Sequence, residues 1–162
     1  MELASLSARL QALALERGLV VGTAESCTGG LIGHALTTIP GSSHYYRGGV
    51  VSYSDAIKVE MLDVPATAIE RHGAVSAQVA VAMAEGARRR LSCDYAVSVT
   101  GVAGPDGGSD AKPVGLTYVA AAGPVDHIVQ RHVWDGDRAA NKERSAAAAV
   151  ELLIALIERG ER

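Results

Sequence analysis

The 162-residue sequence contains no phenylalanine and a single tryptophan, although 48% of its residues are apolar. Alanine and valine supply most of that apolar content. The core is therefore expected to consist of small side chains packed at short backbone distances, as where helices lie on a sheet. Only two cysteines occur, Cys27 and Cys93, in unrelated contexts and without histidines at zinc-ligand spacing. This excludes a disulfide framework or zinc finger and points to a reduced, cytoplasmic protein. His34, His44, His72, His127 and His132 show no metal-ligating pattern, so no metal site is expected.

Targeting and interaction signals are equally sparse. Met1 to Leu6 carry an early acid and helical periodicity in place of a basic and then apolar leader. No apolar run reaches membrane-spanning length, so no membrane partner is expected. The formal net charge is only −3, and the one cationic run, Arg88-Arg89-Arg90, falls late in an amphipathic stretch, where cations meet the negative end of a helix dipole. Without a basic face, nucleic acid is not an expected partner. Repeats and low-complexity tails are absent, and the length fits one domain, residues 1–162, with a core that needs no staples.

What is present is alternation. Leu3, Leu6, Leu10 and Leu13 recur at helical spacing, with Gly18 as terminator. Residues 19–24 read as a short buried strand, and Leu31, Ile32, Ala35 and Leu36 as a helix closed by Pro40-Gly41. Gly48 to Tyr53 reads as a second strand, and Ser54-Asp55 caps a helix with Lys58 in its first turns. Pro65 starts a short helix reaching Arg71, and Ser76 caps a longer one. Tyr95 to Thr100 is a third strand that runs into a glycine-rich loop, Gly101 to Ser109. Val114–Ala122 and Val125–Trp134 form a hairpin, and a last helix begins near Asp137. This order specifies a single three-layer α/β/α domain with a mixed, partly parallel sheet. Such sheets bind ligands at the carboxyl ends of their strands, where Ser26, Tyr53 and the Gly101–Ser109 loop all fall.

Several of these residues carry chemistry. Ser26 becomes a nucleophile only if a neighbour takes its proton, and Lys58 is the preferred base. Its place near a helix N-terminus sets it in a positive partial field that disfavours the ammonium form. Tyr53 either orients this pair or is a half-buried strand aromatic. The amides of Cys27, Thr28, Gly29 and Gly30 open a helix and could bind an oxyanion or a substrate anion. Cys27 competes as nucleophile, because a thiol at a helix N-terminus ionises more easily, or else it is a small packed side chain. Thr100, Gly101 and Gly104 either approach a phosphate or ribose through backbone amides or form a plain turn, since the loop lacks the ending of a P-loop. Asp137 caps the last helix, and Arg138 can meet a carboxylate or a substrate phosphate.

The string Thr23-Ala24-Glu25-Ser26-Cys27-Thr28-Gly29-Gly30 resembles the signature of the CinA C-terminal domain family, the nicotinamide-nucleotide amidohydrolases. Similar blocks follow in order: Tyr45 to Ser54 with Lys58, Gly73-Ala74-Val75-Ser76, Thr100 to Pro105, Lys112-Pro113-Val114-Gly115 and Gly136-Asp137-Arg138. The resemblance implies hydrolysis of the carboxamide of nicotinamide mononucleotide to nicotinic acid mononucleotide and ammonia, in pyridine nucleotide salvage, with no metal or cofactor. It also implies a homodimer whose partner molecule is a small nucleotide substrate. By position it makes Ser26 the nucleophile, Lys58 its base and Tyr53 an assistant. One departure stands out: where the family often carries a further arginine after Gly136-Asp137-Arg138, this sequence has Asn141-Lys142. Family members also occur fused to an N-terminal domain, and this sequence reads as the stand-alone form. The alternatives from other classes are a nucleotide-binding regulatory module without chemistry and a Cys27 hydrolase.

Overall fold

Capping residues fix three of the six described helix starts. The side chains of Ser54, Ser76 and Asp137 accept the amides of Ile57 (3.3 Å), Val79 (3.2 Å) and Ala140 (2.8 Å), each satisfying a donor that the first turn leaves free. Gly18 closes the first helix in the left-handed conformation at φ 62°. The computed structural model describes residues 1–160. In chain order the elements are α1 (Leu3–Arg17), β1 (Val21–Glu25), α2 (Leu31–Thr37), a 3₁₀ turn (Ser42–His44), β2 (Tyr46–Val51), α3 (Asp55–Leu62), α4 (Ala66–His72), α5 (Ala77–Arg90), β3 (Tyr95–Gly101), β4 (Leu116–Ala122), β5 (His127–Val133) and α6 (Arg138–Arg159).

The strands form one mixed sheet in the order β2-β1-β3-β4-β5. β1 pairs parallel with both β2 and β3, while β3–β4 and β4–β5 are antiparallel. Helices α1, α2 and α6 cover one face; α5, with α3 and α4 against it, covers the other. The expected three-layer domain is therefore present. Strand alternation sends Val97, Val99, Val119 and Ala121 into the first layer, against Leu153 and Ile157. Ala96, Ala120 and Ala122 face α5, which meets them with Ala80, Met83, Ala84 and Ala87. The alanine-rich composition appears here as α5 and α6 lying close on the sheet. No described helix is long and apolar enough to cross a membrane.

The structure corrects several boundaries, among them the start of β1, at Val21, and of β4, at Leu116. β2 starts at Tyr46 and ends at Val51, so Tyr53 lies beyond the strand. Ser52, fully buried, makes the last contact to β1 by donating its N–H (2.7 Å) and hydroxyl (3.2 Å) to the Glu25 carbonyl, after which the chain leaves the sheet for α3. β5 is shorter than expected because Val125, 95% exposed, sits in the hairpin turn. Most consequential for the site, α2 starts at Leu31, so Cys27 to Gly30 form a turn and do not open the helix.

Candidate active site

Ser26 follows the last residue of β1, the strand with parallel neighbours on both sides, and its backbone is clamped there. Its N–H donates to Val99 of β3 (3.0 Å), and its carbonyl accepts from Gly29 (3.0 Å). The turn this creates needs left-handed backbone at Gly29 (φ 61°) and Gly30 (φ 107°), a conformation that glycine adopts without strain. The amides at the start of α2 are not free for a ligand. The carboxylate of Glu25, itself buried, accepts from Thr28 Oγ1 (2.7 Å), Ile32 N (2.8 Å) and Gly33 N (3.1 Å). The N-terminus of α2 is thus occupied by the chain's own carboxylate, which leaves an anion the amides of the turn before it. The Gly29 amide is also engaged, whereas those of Cys27, Thr28 and Gly30 have no backbone acceptor among the described residues.

Lys58 reaches Ser26 from α3. It is the fourth residue of a helix that starts beside the end of β2, and its side chain is only 1% exposed. Its Nζ lies 3.0 Å from Ser26 Oγ, 2.7 Å from the Ser52 carbonyl and 3.5 Å from the Tyr53 carbonyl. Burial pushes its pKa below the ordinary lysine value, and this outweighs the upward pull of Asp55 and Cys27. The direction agrees with the sequence argument, but the largest cause is desolvation of the ammonium, not the helix end. Once the amine has lost a proton, the two carbonyls can take its two N–H bonds, and its lone pair then faces the Ser26 hydroxyl.

Cys27, one residue on, has the opposite character. It is 7% exposed and packs in the apolar core, and burial pushes its thiol up to about 11. A thiol that keeps its proton at neutral pH is a poor nucleophile. The reading of Cys27 as a packed side chain is the one that its environment favours.

Ser26, Cys27, Tyr53, Lys58, Thr100, Gly101 and Arg138 all line one cleft of about 250 Å³, together with Asp55, Ala74, Val75 and Ala103. The carboxyl ends of β1, β2 and β3 therefore meet as the topology predicts. Tyr53, 62% exposed, stands at the mouth, and its hydroxyl accepts from Arg138 (3.3 Å). Arg138 also donates to the Gly104 carbonyl (2.7 Å), and Gly104 itself lies outside the cleft lining, beside Pro105 and Val114. The Thr100 hydroxyl is spent on the Ala74 carbonyl (2.9 Å). Thr28, Gly29 and Gly30 line a second, larger cavity of about 650 Å³ that shares Arg138 with the cleft and also has Lys142 and His34 in its wall. Arg138 is the junction between the two.

Two contributors were missed in the sequence. Glu25 was a carboxylate at the end of an otherwise apolar strand, and a buried charge always needs partners, so its position was the available signal. Asn141 was noted only as a departure from a pattern. It is 2% exposed, accepts from Gly136 N (3.0 Å) and donates to the Ala103 carbonyl (3.1 Å), tying α6 to the cleft wall. No local pattern signalled that bridge. Among the described residues, no group of His, Cys, Asp and Glu is arranged to hold a metal ion.

Known proteins share this fold. The model of the CinA C-terminal domain matches residues 3–157. A CinA-like protein of Parasynechococcus marenigrum is 55% identical over 120 residues, which is 74% of this chain and 29% of that protein. A CinA-like protein of a Synechococcus species is 44% identical over 148 residues, 91% of this chain and 35% of that protein. The chain thus spans about a third of the length of these curated relatives. Among solved structures, a competence/damage inducible protein of Agrobacterium tumefaciens superposes with a TM-score of 0.93 at 41% identity, covering 96% of both chains. A CinA superfamily protein of Escherichia coli gives 0.91 at 31% identity, covering 95% of this chain and 90% of that one. By sequence and by fold, the chain belongs to the CinA C-terminal domain family.

Proposed function

We propose that this domain hydrolyses the carboxamide of nicotinamide mononucleotide to nicotinic acid mononucleotide and ammonia, with Ser26 as nucleophile and Lys58 as general base and acid. The observation that carries the reading is the buried lysine amine 3.0 Å from the serine hydroxyl. A buried lysine with lowered pKa and no carboxylate among its hydrogen-bond partners is poorly explained as scaffold, because leaving a charge there is costly. The resemblance of the Ser26, Lys58 and Tyr53 segments to the amidohydrolase signature supplies the substrate.

In this reading neutral Lys58 takes the Ser26 proton as Oγ attacks the amide carbon. The oxyanion of the tetrahedral intermediate faces the turn, where the Cys27 and Thr28 amides have no backbone acceptor. Lys58 then returns the proton to the departing nitrogen. The C–N bond breaks, ammonia leaves and an ester remains on Ser26. Water, deprotonated by Lys58, cleaves the ester and restores the hydroxyl. Arg138 and Tyr53 stand at the mouth, where the ribose phosphate would emerge toward the larger cavity.

The test is ammonia release from nicotinamide mononucleotide, nicotinamide riboside and free nicotinamide in parallel. Release from the mononucleotide, lost in Lys58→Ala, is the expected result. Tight binding of the mononucleotide with no ammonia over hours would contradict it and make the domain a binding module.

A further inference from the structure

Two of the sequence blocks, Gly73-Ala74-Val75-Ser76 and Lys112-Pro113-Val114-Gly115, have no part in the chemistry above, yet they meet beside the cleft. Ala74 and Val75 line one wall, and Ala103, at the start of the loop between β3 and β4, lines another. Three consecutive carbonyls behind the first wall are held. Gly73 O accepts from Ser76 Oγ (2.8 Å), Ala74 O accepts from Thr100 Oγ1 (2.9 Å), and His72 O accepts from Lys112 Nζ. Only the third bond comes from the β3–β4 loop.

That loop is anchored at its near end by Asn141 on Ala103 (3.1 Å) and Arg138 on Gly104 (2.7 Å). Farther out, a small turn presents the lysine: Ser109 N donates to Lys112 O (2.8 Å), and Lys112 N donates to Ser109 Oγ (3.1 Å). The ammonium then meets the last residue of α4, where unpaired carbonyls and the helix dipole concentrate negative charge. The residue after it fits this contact. Gly73 has φ 76°, and a Cβ there would overlap Lys112 Nζ.

We propose that Lys112 is a positioning residue that ties the β3–β4 loop to the Ala74–Val75 wall and so sets the width of the cleft and its grip on the substrate. The assay for this role rests on the amidohydrolase reading. Lys112→Met should raise the KM for nicotinamide mononucleotide roughly three- to tenfold, the equivalent of one net hydrogen bond, because the wall shifts while the dyad stays in place. The same variant should hold kcat within about twofold and keep the pH midpoint of kcat. Lys112→Arg should restore most of the KM. Gly73→Ala breaks the tie from the other side and should raise KM similarly, with the double variant little worse than the worse single one.

An unchanged KM in Lys112→Met would overturn the proposal, as would fully additive losses in the double variant. Should the wild type release no ammonia at all, the functional reading fails on its own, and the tie is then read without substrate. Amide hydrogen exchange at Ala74 to Ser76 should be faster in Lys112→Met than in wild type, and equal exchange would overturn the tie.

Discussion

The two halves of the sheet do different work. In the parallel half, β2-β1-β3, each strand is reached through helices, and the strands end together, so Ser26, the Ser52–Tyr53 segment and Thr100-Gly101 converge while α3 delivers Lys58 beneath them. In the antiparallel half, β4 and β5 turn directly through residues 123–126 and contribute no side chain to the cleft. β4 is the packed member, with Val119, Ala120 and Ala121 fully buried between α5 and α6, while β5 closes the sheet as a largely exposed edge strand. Buried polar groups that converge on a cleft therefore mark the first half, and a packed strand backed by an exposed edge strand marks the second.

The sharpest way to break this contrast is to remove the proposed base. Lys58→Ala is expected to lower kcat/KM for the proposed reaction by about 10²–10⁴-fold, measured by ammonia release, with the far-ultraviolet circular dichroism retained. In the antiparallel half the balance reverses. Leu116→Ala, at a position 2% exposed, should destabilise the domain by about 2–5 kcal/mol in urea titration while kcat of the remaining folded protein stays close to wild type. Glu25→Gln combines both effects on a smaller scale. It leaves the Ile32 and Gly33 donors short of a charged acceptor and should cost about 1–3 kcal/mol in stability and lower kcat, because the Ser26 turn loosens.

The smallest expected effect is on pH dependence, and its sign is fixed by burial. Only the neutral amine can accept the Ser26 proton, so kcat/KM should rise with pH through a midpoint below the ordinary lysine range. Stability follows the same direction. Between the lowered folded pKa and the ordinary lysine value, the unfolded chain binds a proton that the folded one does not, so stability rises with pH across that window. In Lys58→Met that slope should disappear from the urea midpoint measured against pH.

Much of this was legible beforehand because it rests on local chemistry. Ser54, Ser76 and Asp137 announced their caps, Gly18 its helix end, and the alternating elements their layers. The convergence of Ser26, Tyr53 and the loop after β3 followed from topology alone. What sequence could not give was the use of donors. Whether the amides at the start of α2 are free depends on where the Glu25 carboxylate folds back, and Lys58 owes its lowered pKa chiefly to burial among groups distant in sequence. The Asn141 and Lys112 ties span 38 and 40 residues and leave no periodic trace.

The neighbours Ser26 and Cys27 offer the most direct test, since the dyad assigns the chemistry to the hydroxyl and leaves the thiol protonated in the core. Ammonia release from nicotinamide mononucleotide should be abolished in Ser26→Ala and remain within a few-fold of wild type, roughly the effect of a small packing change, in Cys27→Ala. Turnover that survives in Ser26→Ala and vanishes in Cys27→Ala would contradict the account.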